Sequence, residues 1–562
     1  MEKYAFNKLI DECKKILEKY GIEKEKIENL KIEIPPKNIK ADLSIPCFQF
    51  VNENKEIKKI AIDLENFFNS FENKNLIEKA EAIGPYLNIH INYKNFSEIV
   101  IKEILEMEEK YGSEKRKNKV IVIDYSSPNI AKPMNIGHLR STIIGQAIYN
   151  ILKFLGYKCI GDNHLGDIGT QFGKLIVAYK KWGNKEKVEK NGIKELMNLY
   201  VKFHKEADET LEEEARIWSK KLEDGDKEAK KLWKWFVKIS KKEFEKIYKM
   251  LNIRFDLQLG ESFYIDKTKE VIEDCKKIAT ESEGALVIKF DDLPALVIQR
   301  ADKASLYQTR DLATIKYRKE RFNFYKCLYV VGSEQNLYFK QVFRAAEMLG
   351  YIKENECVHV NFGLMRLPEG KISTREGRVV FLEDLINKSI ELAEGLIKDS
   401  EKLNEKEKKE IARKIGIGAI IFNDLKEDRV KDIIFDWNKA LNLKGDSCPY
   451  IQYSAVRAKS ILDSFSKKIE KFNIEDLNED EKALVKQLSM FPKIVKTSGE
   501  NYKPHFIAQY LLELADIFNK FYERNRVIGS EKEIERILLV KCVYIVIKNG
   551  LKLLNIEIPE RM

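Results

Sequence analysis

Several features are scarce in this 562-residue sequence, and each scarcity removes a class of protein. Paired cysteines are missing. The eight present (Cys13, Cys47, Cys159, Cys275, Cys327, Cys357, Cys448 and Cys542) are scattered, and none forms CxxC or sits at zinc-finger spacing from a histidine. Cys357 and His359 come nearest, and two candidates do not make a tetrahedral site, so no metal ligand is assigned. The thiols read as reduced, mostly buried residues of a cytoplasmic protein. Long apolar runs are missing as well. "ILLVKCVYIVI" falls short of the ~18 residues of a membrane span and carries Lys541, so no membrane partner is expected. Met1 to Tyr20 is charged and amphipathic rather than a signal peptide. No internal repeat or low-complexity tract is visible.

What is present is enough for packed cores. Hydrophobic residues make up 44% of the chain, which argues against global disorder. Single cores stop growing near ~250–300 residues, so several domains are expected. Charged residues reach 34%, mostly Lys and Glu in mixed sign, which reads as solvated helix faces. The net charge of +10 permits an anionic partner such as RNA without demanding one.

The pattern changes three times along the chain. Residues 1–112 mix a helix, "FNKLIDECKKILEKYG", with strand-like pieces, "KIEIP" and "LNIHIN", as in a small α+β domain. The charged stretch "MEEKYGSEKRKNK" reads as a linker. Over 113–404 short apolar runs ("VIVIDY", "KCIGDN", "ALVIQR", "KCLYVVG", "CVHVNFG") alternate with helical patterns. That alternation predicts buried parallel strands in a doubly wound, Rossmann-type sheet. A helical, charge-rich insertion interrupts it at about 176–290. Over 405–562 the strands stop. Apolar residues recur every three to four positions, which predicts an all-α bundle. In its "HFIAQYLLELADIFNKFYE", the residues Phe506, Ile507, Tyr510, Leu511, Leu514, Phe518, Phe521 and Tyr522 share one face. They read as core rather than as a platform for stacking bases.

The most informative stretch joins the first strand of the sheet to the next helix: "SSPNIAKPMNIGHLRSTIIG", Ser126 to Gly145. A strand ending at Tyr125 and a helix beginning near Gly137 place this turn at the carboxyl edge of the sheet, where open α/β folds bind ligands. Leu139, Ile143, Ala147, Ile151 and Leu155 form the packed face of the helix. Its N-terminus then offers free N–H groups and the positive end of its dipole, and a phosphate is the natural tenant. Gly137 admits a backbone or a flat base, and His138 in the first turn can donate to a phosphate oxygen.

This stretch resembles the "HIGH" element of class I aminoacyl-tRNA synthetases and, more narrowly, its arginyl-tRNA synthetase form. The resemblance continues in order through "NHLGDIGTQFGKL", "GESFY", "LYQTRDLA", "VVGSEQNLYFKQVF", "GKISTREG" and "CPYIQYSAVRAKSI", so it covers nearly the whole chain. Two positions depart from the family pattern. Asn135 stands where the first histidine of the HIGH element is usual; it can donate to a phosphate but carries no charge. Thr374 stands for the second lysine of the "KMSK" element, here Lys371-Ile372-Ser373-Thr374. In the family a lysine just before the HIGH element compensates, and Lys132 is the matching residue, unless it is only a solvated loop lysine.

The resemblance implies an ATP-dependent ligase. Arginine's carboxylate attacks the α-phosphorus of ATP, and the terminal adenosine of tRNA(Arg) then takes the arginyl group through its 2′-hydroxyl. Neither step needs a protein nucleophile, so the lack of a Ser-His-Asp or Cys-His constellation is no objection. Catalysis would come from alignment and from donors aimed at developing charge. Asn135, His138, Lys132 and Lys371 are the candidate catalytic residues, and Gly137, His138, Lys371 and Ser373 the ATP-binding ones. Mg2+ would accompany ATP, held mainly by phosphates and water.

For L-arginine the family pattern points to Asp311, with Tyr307 one helical turn earlier and Gln335 from the next strand end. "LYQT" reads as strand and "RDLATIKYR" as the start of a helix. A carboxylate accepts two parallel N–H bonds from a guanidinium. By itself Asp311 could equally be a first-turn helix acid. Asp124, Ser126, Ser127, Asn129 and His138 complete the implied arginine site, with Pro128 and Pro133 stiffening the turn. Glu261 is either a second acid near the guanidinium or half of a structural salt bridge. His164 is either structural or a neighbour of the adenosine.

The N-terminal domain is similar to the family's tRNA-elbow-binding domain and the C-terminal bundle to its anticodon-binding domain. Tyr450, Tyr453 and Arg457 are candidates for base contacts. A monomer that activates arginine only with tRNA bound is expected. Two rivals remain open from sequence. One is a class I synthetase for another amino acid, which would not need Asp311 with Tyr307 and Gln335. The other is a non-catalytic tRNA-binding paralogue, favoured only by Asn135.

Overall fold

The computed structural model describes residues 4–36, 38–50, 57–301, 306–366, 381–398, 403–467, 469, 472, 474 and 476–562. The chain divides into two compact units. One comprises Met1–Lys115, Tyr453–Lys496 and Tyr510–Gly550; the other comprises Arg116–Gln452, Thr497–Gln509 and Leu551–Met562.

In the first unit an antiparallel sheet orders its strands Leu43–Pro46, Tyr86–Ile91, Ile77–Ile83. The central strand buries Leu87, Asn88, Ile89 and Ile91, and the edge strand Leu43–Pro46 is buried along its whole length. The helix Ala5–Tyr20 buries Phe6, Leu9, Cys13, Ile16 and Leu17 at three- and four-residue spacing and stops at Gly21, whose φ of 101° is left-handed. "KIEIP" contributes a single bridge, Glu33 to Ser44, rather than a strand. The stretch read as a linker is anchored. Its Tyr111 is fully buried and donates its hydroxyl to the Leu488 carbonyl at 3.1 Å. A count of charges cannot reveal one aromatic anchor. Of the aromatic face read as core, Tyr510, Phe518 and Phe521 are buried. Tyr522 is exposed instead and holds the Arg457 guanidinium over its ring.

The second unit carries the parallel sheet. Among the described residues it has four strands, ordered Cys357–His359, Lys326–Tyr329, Val120–Asp124, Lys158–Asp162. The register sets Asp124 opposite Asp162 on one side and Tyr329 on the other. "ALVIQR" does not join this sheet. Its strand Leu296–Gln299 pairs antiparallel with Ala285–Ile288, which pairs with Thr280–Ser282. A four-residue apolar run carries no information about the direction of its neighbour, which is why sequence placed it wrongly.

The insertion is helical as expected. It runs through Gln171–Trp182, Lys185–Asn191, Ile193–Glu206, Glu209–Glu223 and Lys227–Met250, and ends at that antiparallel sheet. "LYQT" is not a strand: the helix Tyr307–Phe322 already starts at Tyr307, after an extended Leu306. The helix Ile136–Phe154 packs on the central strand through a close approach. A Cβ on Gly145 would lie 2.3 Å from Tyr125 Cβ, so only glycine admits that ring. The Tyr125 hydroxyl continues to Gln146 and the Arg254 carbonyl, both at 3.1 Å.

Candidate active site

The turn between strand and helix takes an unusual backbone path. Ser126, Ser127 and Ala131 have φ of 71°, 45° and 64°, all left-handed and none of them glycine. Tertiary hydrogen bonds hold them. Ser126 N–H donates to Ser141 Oγ at 2.9 Å, Ser127 N–H to Asn163 Oδ1 at 3.1 Å, and Ala131 N–H to Ser240 Oγ at 3.0 Å. Asn129 lies against Gly166, where a Cβ would stand 2.1 Å from its Oδ1.

The helix then opens on Asn135. Its Oδ1 accepts the Gly137 N–H at 3.0 Å, an N-cap that uses the oxygen and leaves the amide nitrogen as the donor end. His138 answers it, since its Nδ1 accepts the Asn135 N–H at 3.1 Å. An accepting Nδ1 is unprotonated, so the ring's proton sits on Nε2. Burial, with a smaller contribution from nearby Lys132, pushes the His138 pKa down to about 4. His138 is thus a neutral N–H donor beside a helix N-terminus. Gly137 is exposed at that mouth.

Lys132 follows Ala131 and is half-buried, with burial lowering its pKa. Its ammonium lies 5.1 Å from the centre of the Tyr200 ring, which comes from the insertion helix Ile193–Glu206. His204 on the same helix stacks edge-on against Tyr200 at 4.6 Å. Lys371, Ser373 and Thr374 lie outside the described residues.

The acidic end of the site is built on the helix Tyr307–Phe322. Asp311 accepts a hydrogen bond from the Tyr338 hydroxyl. Burial raises its pKa, and nearby His164 together with Tyr338 offsets part of that rise. His164 also offsets part of the rise that burial imposes on the Glu261 pKa. Neither of its nitrogens has a partner among the described residues, and its ring faces Tyr264 at 5.4 Å. Glu261 pairs with Arg310 Nε at 3.0 Å, so it forms the structural salt bridge that was one of its two readings. The Arg310 guanidinium also covers the Tyr307 ring at 4.7 Å. Tyr307 is 54% exposed, and Gln335, in the turn Ser333–Gln335, is exposed too.

Asp124 ends the strand Val120–Asp124. One oxygen accepts Ser127 Oγ at 2.8 Å; the other pairs with Arg318 at 2.7 Å. The same guanidinium nitrogen lies 2.8 Å from Asp162. Arg318 is fully buried and bridges the two strand-end carboxylates that the sheet register forces side by side, a single cation shared between them. Sequence reasoning missed this residue, and also Tyr338, Asn163, Ser240, Tyr248 and Arg140. Arg140, next but one to His138, is buried and pairs through Nε with Asp424 at 2.9 Å. It also donates to the carbonyls of Gly363, Lys431 and Arg429. Several of these residues stand inside or beside the quoted motifs, and nothing local marks their partners.

Comparison with known proteins agrees along the chain. Residues 100–437 match the family described as tRNA synthetases class I (R), catalytic domain. Residues 451–562 match the DALR anticodon binding domain, and 7–91 the arginyl tRNA synthetase N terminal domain. An arginine–tRNA ligase of Halothermothrix orenii is 44% identical over 549 residues, covering 96% of each chain. One of Clostridium perfringens is 45% identical, covering 99% of this chain and all of its own. Among solved structures, the Thermus thermophilus arginyl-tRNA synthetase superposes over the full length of both chains with a TM-score of 0.83 at 23% identity, a likeness of fold.

Proposed function

The chain belongs to the arginyl-tRNA synthetase family, and from that premise we propose how its own residues carry the reaction. The activity is that of an arginine–tRNA ligase: ATP and L-arginine give arginyl-adenylate and pyrophosphate, and tRNA(Arg) then receives the arginyl group. The observation that carries the assignment of roles is the Asp311 carboxylate. It is held by Tyr338 at the carboxyl edge of the sheet, in the same unit as the Asn135–His138 helix mouth.

Asp311 takes the substrate's guanidinium, with Tyr307 and Gln335 as exposed walls and His164 as an uncommitted neighbour. Ser126, Ser127 and Asn129 meet the amino and carboxylate ends. Asp124 contributes by fixing Ser127 rather than by offering free charge, since Arg318 and Ser127 occupy its oxygens. Lysine would leave Asp311 acceptors unmatched, and such a site can reject an analogue by ~10⁴–10⁵. Arginine's carboxylate oxygen forms a bond to the α-phosphorus as the bridge to the β-phosphate breaks and pyrophosphate leaves. His138 Nε2–H, the Asn135 amide nitrogen and Lys132 are the donors for the charge on the departing phosphates, and Lys371, outside the described residues, joins them by the family pattern.

Mg2+ enters with the nucleotide. The phosphates and water would be its main ligands. Residues 1–112 serve the tRNA elbow, 113–404 the chemistry and 405–562 the anticodon. No described helix is long and apolar enough to cross a membrane. All eight cysteines are free, which supports a reducing compartment such as the cytoplasm. A monomer is the proposed working state.

Charging of tRNA(Arg) with labelled arginine tests this reading. Arginine and not lysine should be transferred, and arginine-dependent ATP–pyrophosphate exchange should require tRNA. Full exchange without tRNA removes the tRNA requirement. A protein that binds tRNA yet charges none removes the catalytic reading.

A further inference from the structure

The insertion helix Lys227–Met250 buries Ala229, Phe236, Phe244 and Ile247 as an apolar stripe. Two polar groups interrupt its buried face: Ser240, fully buried, and Tyr248, 4% exposed. Eight residues apart, they lie about 12 Å apart along the axis, and each meets one end of the turn after the first parallel strand. Ser240 Oγ accepts the Ala131 N–H at 3.0 Å and donates its own O–H to the Phe236 carbonyl at 2.9 Å. The Tyr248 hydroxyl lies 2.9 Å from Ser126 Oγ and accepts from Asn163 Nδ2 at 3.1 Å. The oxygen of that same Asn163 amide holds the Ser127 N–H.

The residues so held are the three non-glycine left-handed positions of the turn. Ordinary side chains leave this conformation unless their surroundings enforce it. Released, Ala131 would return to negative φ and Lys132, next in the chain, would be re-aimed. We propose that Ser240 and Tyr248 are positioning residues for arginine activation, and that the insertion helix is the splint that keeps Ser126, Ser127 and Lys132 in register with the substrates. This rests on the arginine-activation reading above.

The test compares Ser240→Ala in the wild-type background with Ser240→Ala in an Ala131→Gly background, since glycine takes the left-handed conformation without penalty. Arginine-dependent ATP–pyrophosphate exchange is measured with tRNA(Arg) present, and tRNA affinity by filter binding. In the wild-type background kcat should fall about tenfold with tRNA affinity unchanged, because the reacting groups are misaligned rather than lost. In the glycine background the same substitution should cost only about twofold. Ser240→Cys, close to serine in size with a weaker acceptor, should fall between serine and alanine, and it serves if Ser240→Ala folds poorly. Tyr248→Phe should lower kcat with no relief from Ala131→Gly, because it releases the other end of the turn. Equal losses in both backgrounds, or wild-type kcat in Ser240→Ala, would overturn the proposal. An unmutated protein that fails to activate arginine would instead remove the reading on which it rests.

Discussion

His138 Nδ1 accepts the backbone N–H of Asn135 at 3.1 Å, while Asn135 Oδ1 accepts the N–H of Gly137 at 3.0 Å. The two residues thus cap the helix Ile136–Phe154 and hold each other in one state: a neutral imidazole with its proton on Nε2, and an amide with its nitrogen outward. Nitrogen-resolved NMR of the imidazoles should show His138 still neutral at pH 5.5, because burial holds its pKa near 4. The folded pKa lies below the unfolded value, so the associated stability is present above pH ~6.5 and is lost as pH falls towards about 4. A His138 resonance titrating near 6.5 would contradict this geometry.

Asp311→Asn should reduce kcat/KM for arginine by roughly a hundredfold, about 3 kcal/mol, because a charge-assisted pair becomes a neutral one. Tyr338→Phe removes only the hydroxyl that fixes that carboxylate. It should raise the KM for arginine about fivefold and leave the KM for ATP alone. Steady-state kinetics on both variants distinguishes recognition from positioning.

Arg318→Met would leave Asp124 and Asp162 adjacent, buried and without their cation. The expected cost is about 3–5 kcal/mol, seen as a large fall in thermal midpoint. Arg318→Lys should be intermediate, because an ammonium lacks the guanidinium's planar fork of donors.

Tyr200→Leu should lower kcat about fivefold by removing the aromatic face that holds Lys132, an interaction of about 1 kcal/mol for a partly desolvated ammonium. Tyr200→Phe keeps the face and should retain near wild-type kcat. Equal activity of the leucine and phenylalanine variants would count against a role for the ring.

Much of the site was legible in sequence because its cues are local. The helix mouth at Asn135 and His138 followed from an apolar run, a proline-broken turn and a periodic helix. The structure finds that mouth within one residue of the expected start, at Ile136. Short signals mislead: Leu296–Gln299 belongs to the antiparallel sheet and Tyr307 begins a helix, and four residues carry too little period to tell these states apart. Glu261 takes Arg310 as its partner, a pairing that nothing local in the sequence marks.

Sequence alone determined the fold class and the strand-to-helix turn proposed to carry the chemistry, since periodicity, caps and turn residues act over a few positions. Tertiary structure decided which partner each buried polar group found. Arg318 reaches Asp124 across 194 residues, and Ser240 reaches Ala131 across 109. A charge or donor removed from water must be satisfied by whatever the fold brings beside it, and in this protein that neighbour is set by packing of elements far apart in the chain.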